Sequence, residues 1–182
     1  MTNTENSLIS AAELALIKRG DLKAFDRMML RYQKAIYNHL YRLTRNADDA
    51  ADLAQEAFFK VYKKRHLIDS DRNFRAWLYK IATNTCYDWF EKKKRRAELN
   101  FSEEGDLETF SAEIPYYRID KAESLDLQAA LSTLKPQYQT VIFLYYEQGF
   151  SYEEIAEIIR VPLGTVKTLL YRAKKSLEEK LK

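Results

Sequence analysis

The sequence predicts an all-α protein of two helical domains joined by an acidic linker. Three observations predict it. Apolar residues recur at three- and four-residue spacing through most of residues 11–97 and again from about 122 to 180. The chain of 182 residues holds only 4 Gly and 3 Pro, too few for a hairpin array or a Gly-rich phosphate loop. Between the two periodic stretches, NFSEEGDLETFSAEIPYY carries Gly105, Pro115, many acids and no clean period, and reads as a linker. Hydrophobic residues at 46% and charged residues at 31% support folded cores and exclude a wholly disordered chain.

The elements follow in order. AELALIKRG ends at Gly20, a helix terminator. Asp21 can cap a second helix carrying Leu22, Phe25, Met29, Tyr32 and Ile36 at three- and four-residue spacing, an apolar stripe. Asn46 or Asp48 can start a third helix reaching about Lys64, with Ala50, Leu53, Ala54, Ala57 and Val61 on a core face. HLIDSDRN reads as a loop, and a fourth helix runs from about Phe74 to Arg96. After the linker, Ala122–Leu134, Gln137–Gln148, Tyr152–Ile159 and Thr165–Lys180 read as helices.

Charge is unevenly placed. Residues 1–97 hold 20 Lys and Arg against 12 Asp and Glu, a net of +8. Residues 98–126 hold 2 against 9, a net of −7, and residues 127–182 hold 8 against 6, a net of +2. One Cys and two His exclude a disulfide framework and leave too few ligands for a Cys/His zinc site, so neither metal nor cofactor is expected. No apolar run reaches about 18 residues, and MTNTENSLIS has no basic stretch followed by an apolar one. The expectation is a soluble, cytoplasmic protein that is not inserted in a membrane.

Three stretches carry chemistry. In SYEEIAEIIRVPLGTVKTLLYRAKKSL, Ser151 and Glu154 form a capping box, and Ile155, Ala156 and Ile159 share an apolar face. Pro162 breaks the helix, and Thr165 can cap a second helix bearing Val166, Leu169, Leu170 and Ala173. Short helix, tight turn and longer helix make a helix-turn-helix, which lays its second helix in a DNA major groove. Lys167, Thr168, Tyr171 and Arg172 are the candidates for base edges, with Lys174 and Lys175 for phosphates. In NADDAADLAQEAFFKVYKK, Asp48 or Asp49, Asp52, Gln55, Glu56 and Phe59 make an acidic face with one aromatic, which points to a protein partner rather than DNA. Its carboxylates should lie on open surface, and no nucleophile–base pair stands out, so an enzyme is not expected. In RNFRAWLYKIATNTCYDWFEKKKRR, aromatics interleave with cations, as a surface for unpaired bases requires. Phe74, Trp77 and Ile81 read as core; Tyr79, Tyr87 and Phe90 fit either role, while Asn84 and Asp88 are spaced to bond a base edge. Cys86 and both His read as structural or incidental.

These residues resemble a known family. The run Asp49…Asp52-Leu53-Ala54-Gln55-Glu56-Ala57-Phe58, the run Phe74, Trp77-Leu78, Ile81-Ala82, Asn84 and Asp88, and the run Glu154-Ile155-Ala156, Pro162-Leu163-Gly164-Thr165-Val166-Lys167, Arg172-Ala173 are similar to bacterial sigma factors of the sigma-70 family, extracytoplasmic-function (ECF) group. The resemblance implies a sigma region 2-like domain over 1–97, an acidic linker over 98–122 and a region 4-like helix-turn-helix domain over 123–182. It implies a transcription initiation factor that binds core RNA polymerase, at the largest subunit's clamp helices through Asp48, Asp49, Asp52, Leu53, Gln55, Glu56 and Phe59, and at the flap through the C-terminal domain. It implies promoter DNA contacts at the −10 element from Arg72, Asn73, Arg75, Lys80, Asn84, Tyr87 and Asp88, with the loop near His66–Asn73 holding a flipped base. At the −35 element it implies Thr165, Lys167, Thr168, Tyr171, Arg172, Lys174 and Lys175. An anti-sigma factor is an implied partner. The chain departs from the family at Thr168-Leu169, where Ser-Arg is common; the hydroxyl is kept and a cation is lost. The competing reading is a stand-alone helix-turn-helix regulator that binds duplex DNA, which leaves the aromatic-basic stretch at 74–96 without a role.

Overall fold

The structure, a computed structural model, describes residues 9–69, 72–100 and 130–181, the side chains of 94 and 96–100 excepted. Contacts divide the chain into two compact units between Cys86 and Tyr87. Of the linker expected over 98–122, residues 98–100 are the end of the helix that starts at Phe74, and residues 101–122, with the start of the helix expected at Ala122, lie outside the described residues.

In the first unit, α1 (Ala11–Lys18) starts where the Ser10 side chain accepts from the Glu13 amide at 3.1 Å. It ends in a turn through Gly20 (φ +91), whose amide donates to Ile17 O while that of Asp21 donates to Leu16 O. A left-handed residue there suits Gly because it has no Cβ. α2 (Leu22–Thr44) is capped by Asp21, whose Oδ1 accepts from the Ala24 amide at 2.8 Å. α3 (Ala47–Lys63) is capped by Asn46, whose Oδ1 accepts from the Asp49 amide at 3.0 Å, so Asn46 starts the helix and Asp48 falls in its first turn. A 3-10 turn (Arg65–Leu67) leads to α4 (Phe74–Asn100), which belongs to the first unit up to Cys86 and runs past the expected end at Arg96. Ala97, Glu98 and Leu99 are good helix formers and no Gly or Pro intervenes.

The core of this unit joins Leu14 and Ile17 of α1, Met28, Tyr32, Ile36 and Leu40 of α2, Ala50, Leu53, Ala57 and Val61 of α3, and Leu78, Ile81 and Ala82 of α4. Two members of the expected α2 stripe depart from it. Leu22 is 61% exposed and Met29 is only half-buried, because Met28 takes the inward position. A polar pair sits inside this core. His39 is fully buried, its Nε2 lies 2.7 Å from Thr83 Oγ1, and its ring lies 5.1 Å from that of Tyr79. Burial, with the Arg42 charge adding to it, pushes the imidazole pKa from 6.5 down to about 3. Cys86 is buried as well, and burial pushes its thiol up to about 12.

In the second unit, residues 130–132 are helical and Gln139 Nε2 donates to Ser132 O and Leu134 O, tying that stretch to α5 (Pro136–Ile142). The single helix expected over Gln137–Gln148 is two pieces, because α5 passes into a π-helical turn (Phe143–Glu147). The wider turn, closed by the Gln148 amide on Phe143 O, goes with burial of Phe143, Leu144 and Phe150 together. α6 (Tyr152–Ile159) carries the full capping box: Ser151 Oγ accepts from the Glu154 amide, and Glu154 Oε2 accepts from the Ser151 amide. It buries Ile155, Ile158 and Ile159, with Ala156 half-buried. Arg160 (φ 57) turns the chain, and α7 (Leu163–Lys180) follows. α7 begins at Leu163, two residues before the expected start, with Pro162 as its cap; Thr165 lies inside the first turn and does not cap.

Candidate nucleic-acid interface and partner face

α3 has two sides. Ala50, Leu53, Ala54, Ala57, Phe58 and Val61 are buried. Asp48, Asp52, Gln55, Glu56 and Phe59 are exposed and Asp49 is half-buried. Leu53 departs from the expected partner face. It is 2% exposed, so its side chain packs α3 onto the core and presents nothing to a partner. The acidic face carries its own cations one turn on: Lys60 Nζ lies 2.8 Å from Glu56 Oε1, and Lys63 Nζ sits 4.3 Å from the centre of the Phe59 ring. Such exposed pairs contribute roughly 0–1 kcal/mol each, so these side chains can exchange partners at little cost.

Beside this face, α2 and α3 enclose an apolar cleft of about 720 Å³. Leu22, Met29 and Tyr37 of α2 and Phe58, Phe59 and Tyr62 of α3 line it. Leu22 and Met29, members of the apolar stripe of α2, thus belong to the cleft. The signal that could have found it is the width of the α2 stripe: Met28 and Met29 are adjacent and cannot both face one core line.

On α4, the inward arc is Phe74, Leu78, Tyr79, Ala82, Thr83, Thr85 and Cys86, all buried. Tyr79 is therefore core. Lys80, Asn84, Tyr87 and Asp88 recur at i, i+4, i+7 and i+8 and share the outward side. Trp77, expected in the core, is half-buried at the edge of that side, with its ring 5.8 Å from Phe74. Asn84 Oδ1 is buried without a hydrogen-bond partner, although the residue as a whole is half-exposed. Phe90 is 38% exposed and packs edge-on against Trp89, over which Lys93 Nζ lies at 4.7 Å. Arg75 stands apart, one turn before the stripe and on another side of the helix. Asn73 is committed locally: its Oδ1 accepts from the amides of Arg75 and Ala76 and caps α4, so that oxygen is already engaged before any base arrives. Arg72 is exposed and reaches back to Asp69, Nε to Oδ2 at 3.5 Å.

On α7, Val166, Leu170 and Ala173 are buried, and all seven expected DNA residues lie on the other side. Lys167, Tyr171 and Lys174 form one column and Thr168, Arg172 and Lys175 a second, with Thr165 at the head. Tyr171 is 69% exposed. Thr168 donates its hydroxyl hydrogen to Gly164 O at 2.9 Å, which leaves a lone pair and a methyl for a base. Lys174 Nζ lies 5.8 Å from the Tyr146 ring centre, and a hydrogen bond with that phenol raises its pKa. Leu169 is half-buried, at the border between the core side and the cationic side.

A sigma-70 region 2 family model matches residues 28–96, and a sigma-70 region 4 model matches residues 124–177. The chain is 36% identical over 174 residues to the ECF RNA polymerase sigma factor SigW of Bacillus subtilis, covering 91% of this chain and 93% of that protein. The chain belongs to the ECF sigma factors. This sigma factor is also 31% identical over 173 residues to the RNA polymerase sigma-H factor of Pseudomonas aeruginosa, covering 91% and 90% of the two chains. Among solved structures it is similar to the sigma factor RpoE of Bartonella quintana in complex with the anti-sigma factor NepR, with a TM-score of 0.68 at 28% identity over 87% of this chain and 97% of that one. Sigma factors are initiation factors that direct RNA polymerase to promoters, and the family is not one of enzymes. Among the described residues no group of His, Cys, Asp and Glu could hold a metal, and no helix is long and apolar enough to cross a membrane.

Proposed function

We propose that this sigma factor divides its work among the faces described above. The open side of α3 seats it on the clamp helices of the polymerase largest subunit. The outward side of α4, with the loop before it, holds the unpaired −10 strand. The outward side of α7 reads the −35 element. The single observation that carries this reading is the two-sidedness of α3 and α4: each packs one side into the same core and leaves open a side of distinct chemistry, acidic on α3 and, through Lys80, Asn84, Tyr87 and Asp88, polar with an aromatic on α4. Residues 1–97, 98–122 and 123–182 are then the polymerase-binding and melting domain, the linker and the −35 domain, working in the cytoplasm. The solved relative bound to NepR supports an anti-sigma protein as a further partner. Unstacking a base costs a few kcal/mol, and stacking on an aromatic returns roughly 1–3 kcal/mol, so opening succeeds only at sequences that the α4 side receives well.

The test is transcription. Purified chain added to bacterial core polymerase should give transcripts with defined start sites on DNA of the source organism. No transcripts from active polymerase and folded chain, with tight duplex binding by the chain alone, would instead establish a stand-alone regulator. Arg172→Ala should lower selectivity between matched and mismatched −35 sequences by about tenfold, the scale of one lost base contact. Equal weakening on every sequence, seen by competition binding, would make Arg172 a phosphate contact.

A further inference from the structure

The stem of the loop between α3 and α4 is held from a distance. Lys18, the last residue of α1, donates from Nζ to the main-chain oxygen of Ile68 at 3.0 Å, across 50 residues of sequence. The Ile68 side chain is buried, which turns its neighbours Leu67 and Asp69 outward. Arg65 is pinned at the other end of the stem: Nη1 donates to Tyr62 O at 2.9 Å, and its guanidinium lies 4.4 Å from the Tyr62 ring centre. It also packs on the α1 terminus, where a Cβ on Gly20 would stand 3.3 Å from Arg65 Nε. α1 is itself fixed to α2, through buried Leu14 and Ile17 and through Glu13, whose carboxylate lies 3.3 Å from Arg27 and 3.4 Å from Arg31.

Lys18 and the rest of α1 lie on none of the faces assigned above, yet they meet Arg65 and Ile68 at the stem that leads from the α3 face to the α4 side. We infer that Lys18 is a positioning residue for promoter opening: by holding the Ile68 carbonyl it fixes the stem at 65–69, next to the residues proposed to receive the unpaired base. The inference rests on the proposed role of that loop. Lys18 is itself exposed, so water competes for its ammonium and the bond contributes modestly, but its loss frees a main-chain segment rather than one side chain. Polymerase binding uses α3 and should not notice.

The experiment uses the full chain with core polymerase at a promoter where the wild type initiates. Unpaired thymines are detected by permanganate on duplex DNA, and transcription is measured in parallel on the same promoter with a pre-opened −10 bubble. Lys18→Met, which keeps the stem length and removes the donor, should cut permanganate reactivity on the duplex by about three- to tenfold. Its polymerase affinity and bubble transcription should match the wild type, its thermal midpoint should fall by no more than about 5 °C, and Lys18→Arg should restore duplex opening. Opening by Lys18→Met at the wild-type level would overturn the inference, as would equal loss on duplex and bubble, which marks a general folding defect. A wild type that leaves no unpaired thymines would overturn the melting role itself, and the inference with it.

Discussion

Replacing Asp52 and Glu56 together by Lys is expected to weaken binding to core polymerase by about a hundredfold, at roughly tenfold for each reversed charge in an interface of complementary potential. The two residues stand four apart on the open side of α3, so one partner surface meets both. The fold should be indifferent. Both side chains are exposed, and Glu56 makes only a partly exposed ion pair with Lys60, of the kind that contributes roughly 0–1 kcal/mol. Fluorescence anisotropy with labelled chain, at two salt concentrations, reads the affinity; far-UV circular dichroism and the thermal midpoint check the fold. The loss should shrink at higher salt, since screening shortens the reach of the charges. Unchanged affinity with an intact fold would remove the acidic side of α3 from the polymerase contact.

The second large effect is on stability. His39 is neutral in the folded chain down to about pH 3, against 6.5 in an ordinary environment. Between these values the unfolded chain takes up a proton that the folded chain refuses. Stability is therefore whole above pH 6.5 and is lost progressively as the pH falls toward 3. At pH 4 the loss should be about 3 kcal/mol, since each pH unit below the ordinary imidazole value costs roughly 1.4 kcal/mol. Carboxylates add their own slope, so the measurement is a difference: urea midpoints from pH 7 to 4 for the wild type and His39→Gln. The variant, which keeps a polar group toward Thr83 Oγ1, should lose less stability over this range. Parallel curves would mean that the imidazole finds a way to protonate inside the folded unit.

Much of this architecture is local chemistry and so was readable. Asp21 and Ser151 cap their helices through their own side chains, and Glu154 returns the bond three residues on. What escaped the sequence is decided by distant partners. The π-helical turn at Phe143–Glu147 brings Phe143, Leu144 and Phe150 to one core, a demand that no window of helical spacing contains. Leu22 and Met29 fit an apolar stripe, but only the packing of α2 against its neighbours shows that the stripe is wider than the core it meets. Leu53 belongs to a family motif whose spelling mixes inward and outward residues, and burial separates them. Asn73 looked available for a base, and the start of α4 engages its carbonyl oxygen first.

The buried Cys86 gives the chain a practical property. It is the lone cysteine in the sequence, wholly enclosed, with a thiol held protonated up to about pH 12. A maleimide dye at neutral pH needs an accessible thiolate, so the native protein offers it nothing to react with. A single cysteine placed at an exposed position such as Phe59 or Tyr171 would then carry one fluorophore at one known site, with no need to remove the natural thiol. Energy transfer from those two positions could time the arrival of each helix at its partner during initiation. The same silence makes Cys86 a clock for unfolding, because any label it acquires dates a moment when the core stood open.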